Sequence, residues 1–287
     1  MNDFSSGLRA SVALEKYGFR TSHSLGQNFI LDDDFLEEIA ALSGVSDSDF
    51  VLEIGPGPGV LTSHLARRCK KVVSLEIDRK LEPVLADVLS GVPNAQIVFE
   101  DVIRCDLNDL LHRQFGDAPV HVVANLPYYI TADVIERLLT RARAIEDITV
   151  MVQKEAAERI AAKVGDKNYC ALSMLVQYYC DVEVLMDVPP ERFVPQPHVM
   201  SRLIRLTRRT DGVQARDDAF LQRVIKSAFR MRRKTLVNNL SGDFAISRED
   251  AQQMLADQGF DTRIRGEILT PDQIARLSDA LADRLQR

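Results

Sequence analysis

A four-residue stretch, Asn125-Leu126-Pro127-Tyr128, carries the side chains of this chain that are best suited to chemistry. It follows the apolar run 120–124, which predicts a buried strand, and ligands of open α/β sheets bind at the carboxyl ends of such strands. The Asn125 amide oxygen and the Leu126 carbonyl can both accept hydrogen bonds from an exocyclic amine such as that of adenine. These two hydrogen bonds draw the amine nitrogen toward tetrahedral geometry and so free its lone pair, which is otherwise delocalised into the ring. Pro127 fixes φ and keeps the preceding residue extended, and Tyr128 offers a flat face for a base. Taken alone, the four residues fit equally well a strand-to-loop turn with a tyrosine in the core.

Strand-like and helical patterns alternate along most of the chain. Apolar strand-like runs occur at residues 50–55, 72–77, 96–101, 120–126 and 148–153, and helical patterns separate them at 35–42, 60–68, 81–89 and 132–143. This alternation predicts an α/β, Rossmann-like fold, in which a mostly parallel sheet has helices on both faces. Two more strand candidates, 182–188 and 201–206, follow a helical stretch at 169–179. They would extend the sheet, as an antiparallel hairpin at its edge.

The pattern changes after about residue 208. Helical patterns follow one another there without a strand between them, at residues 220–229, 233–240, 248–258 and 271–284. This predicts a small all-helical C-terminal domain, with a boundary near residues 210–212. We therefore expect a first domain at 1–210 and a second at 211–287.

Composition limits the class of protein. The content of hydrophobic residues (46%) and of charged residues (27%) is ordinary for a globular chain, and no apolar stretch approaches the roughly 18 residues of a membrane helix. Residues 1–19 lack the apolar region of a signal peptide, so we expect a cytoplasmic protein without a membrane partner. The four cysteines show no close CxxC pairing, which indicates neither a zinc ribbon nor a disulfide framework, and we expect no metal.

Charge is distributed unevenly along the chain. The net charge is −6, yet residues 192–234 contain twelve Arg and Lys against three Asp, a local balance of +9 that leaves −15 on the remainder. A chain polarised in this way can present a basic face to RNA and stay soluble.

A glycine-rich loop follows the first predicted strand. Glu53-Ile54-Gly55-Pro56-Gly57-Pro58-Gly59 does not fit the dinucleotide motif GxGxxG, because residue 60 is valine, and it lacks the GK[ST] of a P-loop. It has the EXGXGXG form typical of S-adenosylmethionine-dependent methyltransferases. Glu76, at the end of the second strand, is placed to bind ribose hydroxyls, and Asp101, at the end of the third, to accept a hydrogen bond from the cofactor's adenine amine.

Five blocks of sequence together resemble one family, the KsgA family of small-subunit rRNA adenine N6,N6-dimethyltransferases, over nearly the whole chain. Three of them lie at residues 25–29, 53–59 and 125–128, and the others at 193–201 (Phe193-Val-Pro-Gln-Pro-His-Val-Met-Ser) and 228–240 (Ala-Phe-Arg-Met-Arg-Arg-Lys-Thr-Leu-Val-Asn-Asn-Leu). The resemblance implies S-adenosylmethionine as cofactor and no metal. It also implies transfer of two methyl groups to the N6 amine of each of two adjacent adenosines near the 3′ end of small-subunit (16S) rRNA.

The resemblance also implies roles for particular residues. Asn28 and the backbone of Ile30 would close over the methyl donor together with the glycine loop (Gly55, Gly57), Glu76, Asp101 and Asn125. From its own proline-rich segment, Phe193 is expected to lie against the target base opposite Tyr128, and the alternative for this segment is a rigid connector. From their clustering, and in preference to a merely solvated helix face, eight basic residues of the positive region are expected to contact RNA phosphates: Arg202, Arg205, Arg223, Lys226, Arg230, Arg232, Arg233 and Lys234.

Two other functions remain open from the sequence. One is the related macrolide-resistance enzyme, which dimethylates one adenine of large-subunit rRNA; the basic 228–240 block and residues 263–269 favour the small-subunit enzyme. The other is a ribosome-assembly or transcription factor that keeps the fold without catalysis, and the intact Asn125–Tyr128 segment argues against it. We expect a monomer whose partner is the small ribosomal subunit.

Overall fold

The protein is described by a computed structural model over residues 5–286, apart from the side chain of His23. One seven-stranded sheet runs through the chain in the order β3-β2-β1-β4-β5-β7-β6. Strands β1 to β5 pair in parallel, and β7 pairs antiparallel to β5. The strands are β1 Phe50–Ile54, β2 Lys71–Leu75, β3 Ala95–Val98, β4 Val120–Asn125, β5 Ile145–Gln153, β6 Cys180–Val188 and β7 Ser201–Arg208.

Helices connect the parallel strands, as the alternating pattern predicts. Within residues 5–286 the α-helices are α1 Ser6–Lys16, α2 Asp33–Leu42, α3 Val60–Ala66, α4 Glu82–Val88, α5 Leu107–Phe115, α6 Thr131–Arg141, α7 Lys154–Ala161, α8 Ala171–Tyr179, α9 Asp218–Arg230, α10 Leu236–Asp243, α11 Arg248–Asp257 and α12 Pro271–Leu285. The predicted α/β, Rossmann-like fold with a helical C-terminal part is confirmed.

The strand order fixes where a ligand can bind. Beginning at β1, the chain builds the sheet outward in one direction through β2 and β3, and then returns to add β4 on the other side of β1. The connections after β1 and β4 therefore leave the sheet in opposite directions and open a crevice between the carboxyl ends of these two strands. Both the glycine loop and Asn125 lie at this point.

The chain divides into two compact units, each with its own apolar core. The first comprises residues up to 157 together with 183–207, and the second comprises 158–182 and residues from 208 onward. The second unit thus includes residues 158–182, which the sequence pattern assigns to the first domain. The physical reason is helix α8, which buries Met174, Leu175 and Tyr178 in one cluster with apolar residues of α9 and α12. The predicted limits 1–210 and 211–287 do not anticipate this segment.

Candidate active site

A cavity of about 280 Å³ opens at the carboxyl ends of the parallel strands in the first unit. Its wall is formed by the ends of β1, β2 and β4, by residues 100–104 after β3, and by residues 25–28 before α2. Asn28, Gly55, Glu76, Asp101 and Asn125 all line it. Five of the residues expected to hold a cofactor, predicted from separate parts of the sequence, are therefore in one pocket.

The glycine loop needs its glycines for conformation and for space. Gly55, Gly57 and Gly59 all have left-handed φ values, 70°, 55° and 87°, which side chains with a Cβ rarely adopt. A Cβ on Gly57 would also lie 2.9 Å from ring carbons of the buried Phe29. The loop therefore keeps its backbone close to the segment before α2. Gly57 itself does not line the main cavity, but its backbone N–H lies near the Glu76 carboxylate and opposes the rise in the pKa of that group.

The Glu76 carboxylate is held firmly just after β2. It is only 5% exposed, and its Oε1 accepts hydrogen bonds from the backbone N–H groups of Ile77 (2.8 Å) and Asp78 (2.7 Å). Burial raises the pKa of Glu76 above its ordinary value, whereas the backbone N–H donors oppose that rise. The result is an oriented acceptor at the wall of the pocket.

Asp101 lies beyond the third strand rather than in it. β3 ends at Val98, three residues earlier than expected, and Asp101 begins a turn in which its Oδ1 accepts a hydrogen bond from the N–H of Ile103 (2.9 Å). Its Oδ2 lies 3.4 Å from Nε of Arg104, whose side chain is 87% exposed. The carboxylate therefore faces the pocket with a fixed orientation and a neighbouring cation.

Asn125 is the last residue of β4, and its side chain is oriented by a neighbouring segment. The Nδ2 amide group donates a hydrogen bond to the backbone carbonyl of Asn28 (3.1 Å), which leaves Oδ1 available as an acceptor. The next residue, Leu126, is tied to β5 by a hydrogen bond from its N–H to the carbonyl of Met151 (3.1 Å). Pro127 has φ −56° and ψ 130° and precedes a short 3₁₀ turn, Tyr128–Ile130.

Tyr128 contributes to the same pocket with a half-buried ring. Its hydroxyl is 2.6 Å from the hydroxyl of Ser201 on β7, so the ring is fixed at its far end. Burial raises the pKa of Tyr128 above its ordinary value. A fixed, neutral aromatic ring beside Asn125 is consistent with the predicted stacking role.

Two predicted residues lie away from the main pocket. Ile30 is buried in the core and borders a second, smaller cavity of about 30 Å³ that also touches Gly55 and Asn125. Phe193 is 2% exposed and packs in the apolar core. Backbone hydrogen bonds in both directions between Phe29 and Val194 hold this segment so that the Phe193 ring faces inward. The stacking of Phe193 on a base opposite Tyr128 stays a prediction.

The eight basic residues expected to contact RNA fall into two groups, one in each unit. In the first unit Arg202 pairs with Asp187 (2.6 Å), and Arg205 donates to the carbonyl of Leu42 and lies 3.8 Å from Glu183. Both guanidinium groups therefore have acceptors within the unit itself, a fact that the sequence does not reveal.

In the second unit the predicted residues differ in how much of their charge is already paired. Arg230 pairs with Asp243, Arg232 lies 3.5 Å from Glu267, and the Arg223 guanidinium lies 5.3 Å from the centre of the Phe244 ring. Lys226, Arg233 and Lys234 are exposed. Among the described residues, Arg233 and Lys234 have no carboxylate within ion-pair distance. The second unit thus has a basic surface in which these two side chains have the most freedom to bind phosphate.

Tyr129 and Arg104 are among the residues that line the main pocket and that the sequence does not single out. Tyr129 is 58% exposed at the pocket, and Arg104 follows Asp101 by three residues. The only signal for Tyr129 was a second aromatic residue directly after Tyr128.

No helix among residues 5–286 is long and apolar enough to cross a membrane. In the same part of the chain, no three His, Cys, Asp or Glu side chains are grouped so that they could hold a metal ion.

The strand order, the glycine loop after β1, the acidic residue after β2 and the asparagine ending β4 together define a class I methyltransferase. A model of the ribosomal RNA adenine dimethylase family matches residues 18–283. The chain therefore belongs to that family, and the family expected from the sequence is confirmed.

Individual relatives agree with this assignment. The chain is 44% identical to a ribosomal RNA small subunit methyltransferase A of a Geobacillus species, over 95% of this chain and 96% of that protein. It is also 44% identical to the protein of that name from Shouchella clausii, over 99% and 98% of the two chains.

Solved structures support the fold. The 23S rRNA methyltransferase ErmE superposes with a TM-score of 0.64 at 27% identity, covering 89% of this chain and all of that one. A dimethyladenosine transferase from Plasmodium falciparum superposes with a TM-score of 0.71 at 23% identity, covering 86% of this chain and 94% of that one.

Proposed function

We propose that the protein transfers methyl groups from S-adenosylmethionine to the N6 amines of two adjacent adenosines near the 3′ end of small-subunit rRNA, dimethylating each. The observation that carries the proposal is the placement of Asn125, whose free amide oxygen is at the same pocket as Glu76 and Asp101. The relatives at 44% identity, named as small-subunit methyltransferases, support the choice of substrate.

The residues at the strand ends fit this cofactor in their chemistry. The ribose hydroxyls are hydrogen-bond donors, and Glu76 presents a carboxylate whose orientation is already set by backbone N–H groups. The adenine amine is a donor as well, and Asp101 supplies the matching acceptor. Asn28 and Gly55 would complete the binding site, and Gly57 would support it because its N–H favours the charged form of Glu76. The cofactor's chemical contribution is a methyl group already activated on a sulfonium.

Asn125 and Leu126 would prepare the nucleophile. The amide oxygen of Asn125 and the carbonyl of Leu126 accept the two N–H groups of the target amine, which draws the nitrogen toward tetrahedral geometry and exposes its lone pair. Pro127 sets the direction of the Leu126 carbonyl, and Tyr128 supports the base by stacking. The target adenosine must leave its stack to reach this position.

Proton release does not require a strong base in the protein. A methylated N6 carries a positive charge and is acidic, so its proton can pass to water. What the site contributes is alignment and a fixed polar environment, both of which lower the barrier without a covalent intermediate.

The partner in this proposal is the small ribosomal subunit. Exposed basic side chains of the second unit, Lys226, Arg233 and Lys234 among them, would bind rRNA phosphates, and the protein would act as a monomer in the cytoplasm, late in subunit maturation. A large-subunit substrate is the main alternative, since ErmE has the same fold at 27% identity.

One experiment separates these substrates. The protein is incubated with methyl-labelled S-adenosylmethionine and with undermethylated small subunits or large subunits, and the labelled nucleoside is mapped. The proposal predicts label on two adjacent adenosines of the small subunit. Label confined to a large-subunit adenine would overturn it, and the absence of label on both would favour a non-catalytic assembly factor.

A further inference from the structure

Tyr129 is an exposed aromatic residue at the mouth of the main pocket. More than half of its surface, 58%, is accessible, although it lines the same cavity as Asn125 and Glu76. An aromatic ring that remains accessible beside a binding pocket is a common site for ligand contact. The ring is still in contact with water in the free protein, so a ligand that covers it gains the free energy of burying its apolar surface.

The ring of Tyr129 has a defined position despite its exposure. Its Cδ1 and Cε1 atoms lie 3.2 and 3.3 Å from the place that a Cβ on Gly26 would occupy, so one edge of the ring packs against the Gly26 backbone. A glycine at residue 26, with a left-handed φ of 59°, permits this approach. The ring is therefore supported on one side and open to solvent elsewhere.

Tyr128 and Tyr129 cannot serve the same base in the same way. They are consecutive residues of the 3₁₀ turn Tyr128–Ile130, in which successive side chains are about 120° apart. Tyr128 is half-buried and fixed through Ser201, whereas Tyr129 extends toward solvent. A base that stacks on Tyr129 thus belongs to a nucleotide beside the one that enters the pocket.

A cation lies at the same pocket. Arg104 also lines the cavity, with a side chain that is 87% exposed. An accessible aromatic ring together with a cation is the combination that binds single-stranded nucleic acid, the ring through a base and the cation through the backbone. By contrast, the residues assigned to the cofactor are half-buried or buried, and Glu76 is only 5% exposed.

We propose that Tyr129 is a substrate-binding residue that stacks on an rRNA base flanking the target adenosine. This inference rests on the proposed function, because it takes rRNA as the occupant of the pocket mouth. It goes beyond that function by assigning a contact to a neighbouring nucleotide, which would help to hold the target adenosine outside its stack.

The test compares four variants with the wild type for binding to undermethylated small subunits and for methyl transfer to them. Tyr129→Ala removes the ring, and Tyr129→Leu keeps an apolar contact for Gly26 without an aromatic face. Tyr129→Phe retains the face without the hydroxyl. The matched control is Tyr17→Ala, another exposed tyrosine of the first unit, which does not line the pocket and whose hydroxyl bonds to Asp87.

Loss of one stacked base should raise the dissociation constant for small subunits roughly tenfold in Tyr129→Ala and Tyr129→Leu. Tyr129→Phe and Tyr17→Ala should bind like the wild type, and calorimetry should show unchanged S-adenosylmethionine affinity in all four. Wild-type binding by Tyr129→Leu would overturn the inference, because the ring would then serve only packing. An equal loss of cofactor affinity would also overturn it.

The binding measurement separates this inference from the proposed function. If the wild type transfers no methyl group to small subunits, the proposed function fails. The ratio of dissociation constants between Tyr129→Leu and wild type still decides the role of Tyr129 on the RNA.

Discussion

Glu53, the first residue of the glycine-loop segment, has a buried carboxyl group that should make stability depend on pH. Its Oε2 accepts hydrogen bonds from the hydroxyls of Thr62 and Ser74, each at 2.6 Å, and within residues 5–286 its Oε1 has no hydrogen-bond partner. Burial raises the pKa of Glu53 from 4.5 to about 7. The folded protein therefore keeps a proton on Glu53 between these pH values, whereas the unfolded chain has released it.

The sign of the effect follows from this difference in bound protons. Because the folded state holds the extra proton, the free energy of unfolding falls as the pH rises from about 4.5 to about 7. The interval between the two pKa values corresponds to a loss of roughly 3 kcal/mol, at about 1.4 kcal/mol for each pH unit. The replacement Glu53→Gln removes the titration and keeps an oxygen that can accept from the two hydroxyls.

The assay is urea unfolding of wild type and Glu53→Gln at pH 5 and pH 8. The quantity compared is the change in the free energy of unfolding between the two pH values, taken for each protein separately. A cost of the glutamine amide that does not depend on pH cancels in this difference. We expect the wild type to lose about 2.5 kcal/mol more than the variant between these pH values, because part of the loss has already occurred by pH 5. The exposed Glu38→Gln is the matched control and should follow the wild type. Equal pH dependence in wild type and Glu53→Gln would refute the reasoning.

Three further changes test the site and the basic surface. Asn125→Ala should leave the fold and cofactor binding largely intact and lower single-turnover methyl transfer by on the order of 10²–10³, as loss of one preorganised polar contact does elsewhere; a near-wild-type rate would contradict its role. Glu76→Ala should weaken S-adenosylmethionine binding, measured by calorimetry, by roughly 1.5–3 kcal/mol for each hydrogen bond lost to the carboxylate. RNA affinity should change little. Unchanged cofactor affinity would show that Glu76 is not part of the cofactor site. When the logarithm of the binding constant for small subunits is plotted against the logarithm of the salt concentration, replacing Arg233 and Lys234 together with Ala should make the negative slope shallower by about 2. An unchanged slope would place the RNA contacts elsewhere.

The position of the pocket could be predicted from the sequence because it follows from topology. Asn125 and Glu76 directly follow apolar runs, and parallel strands bring such positions to one edge of the sheet. The glycine loop could be recognised for a similar reason, since its three left-handed residues must be glycine. These features depend on local backbone and strand direction, both of which are encoded over short stretches.

Features that depend on tertiary partners could not be predicted in the same way. The burial of Phe193 depends on backbone pairing between Phe29 and Val194, which are far apart in sequence. The basic residue Arg202 is paired with Asp187, a contact that a count of charges does not show. Helix α8 carries an apolar pattern compatible with either core, and only its packing against α9 and α12 assigns it to the second unit.

The most direct test of the central proposal is a count of N6,N6-dimethyladenosine in rRNA after the reaction. Undermethylated small subunits are incubated with S-adenosylmethionine and either wild type or Asn125→Ala, and the modified nucleosides are quantified by mass spectrometry. We predict that the wild type produces two dimethyladenosines per small subunit at adjacent positions and that Asn125→Ala produces almost none in the same time. Dimethyladenosine formed at equal rates by both proteins, or formed only in large subunits, would contradict the account.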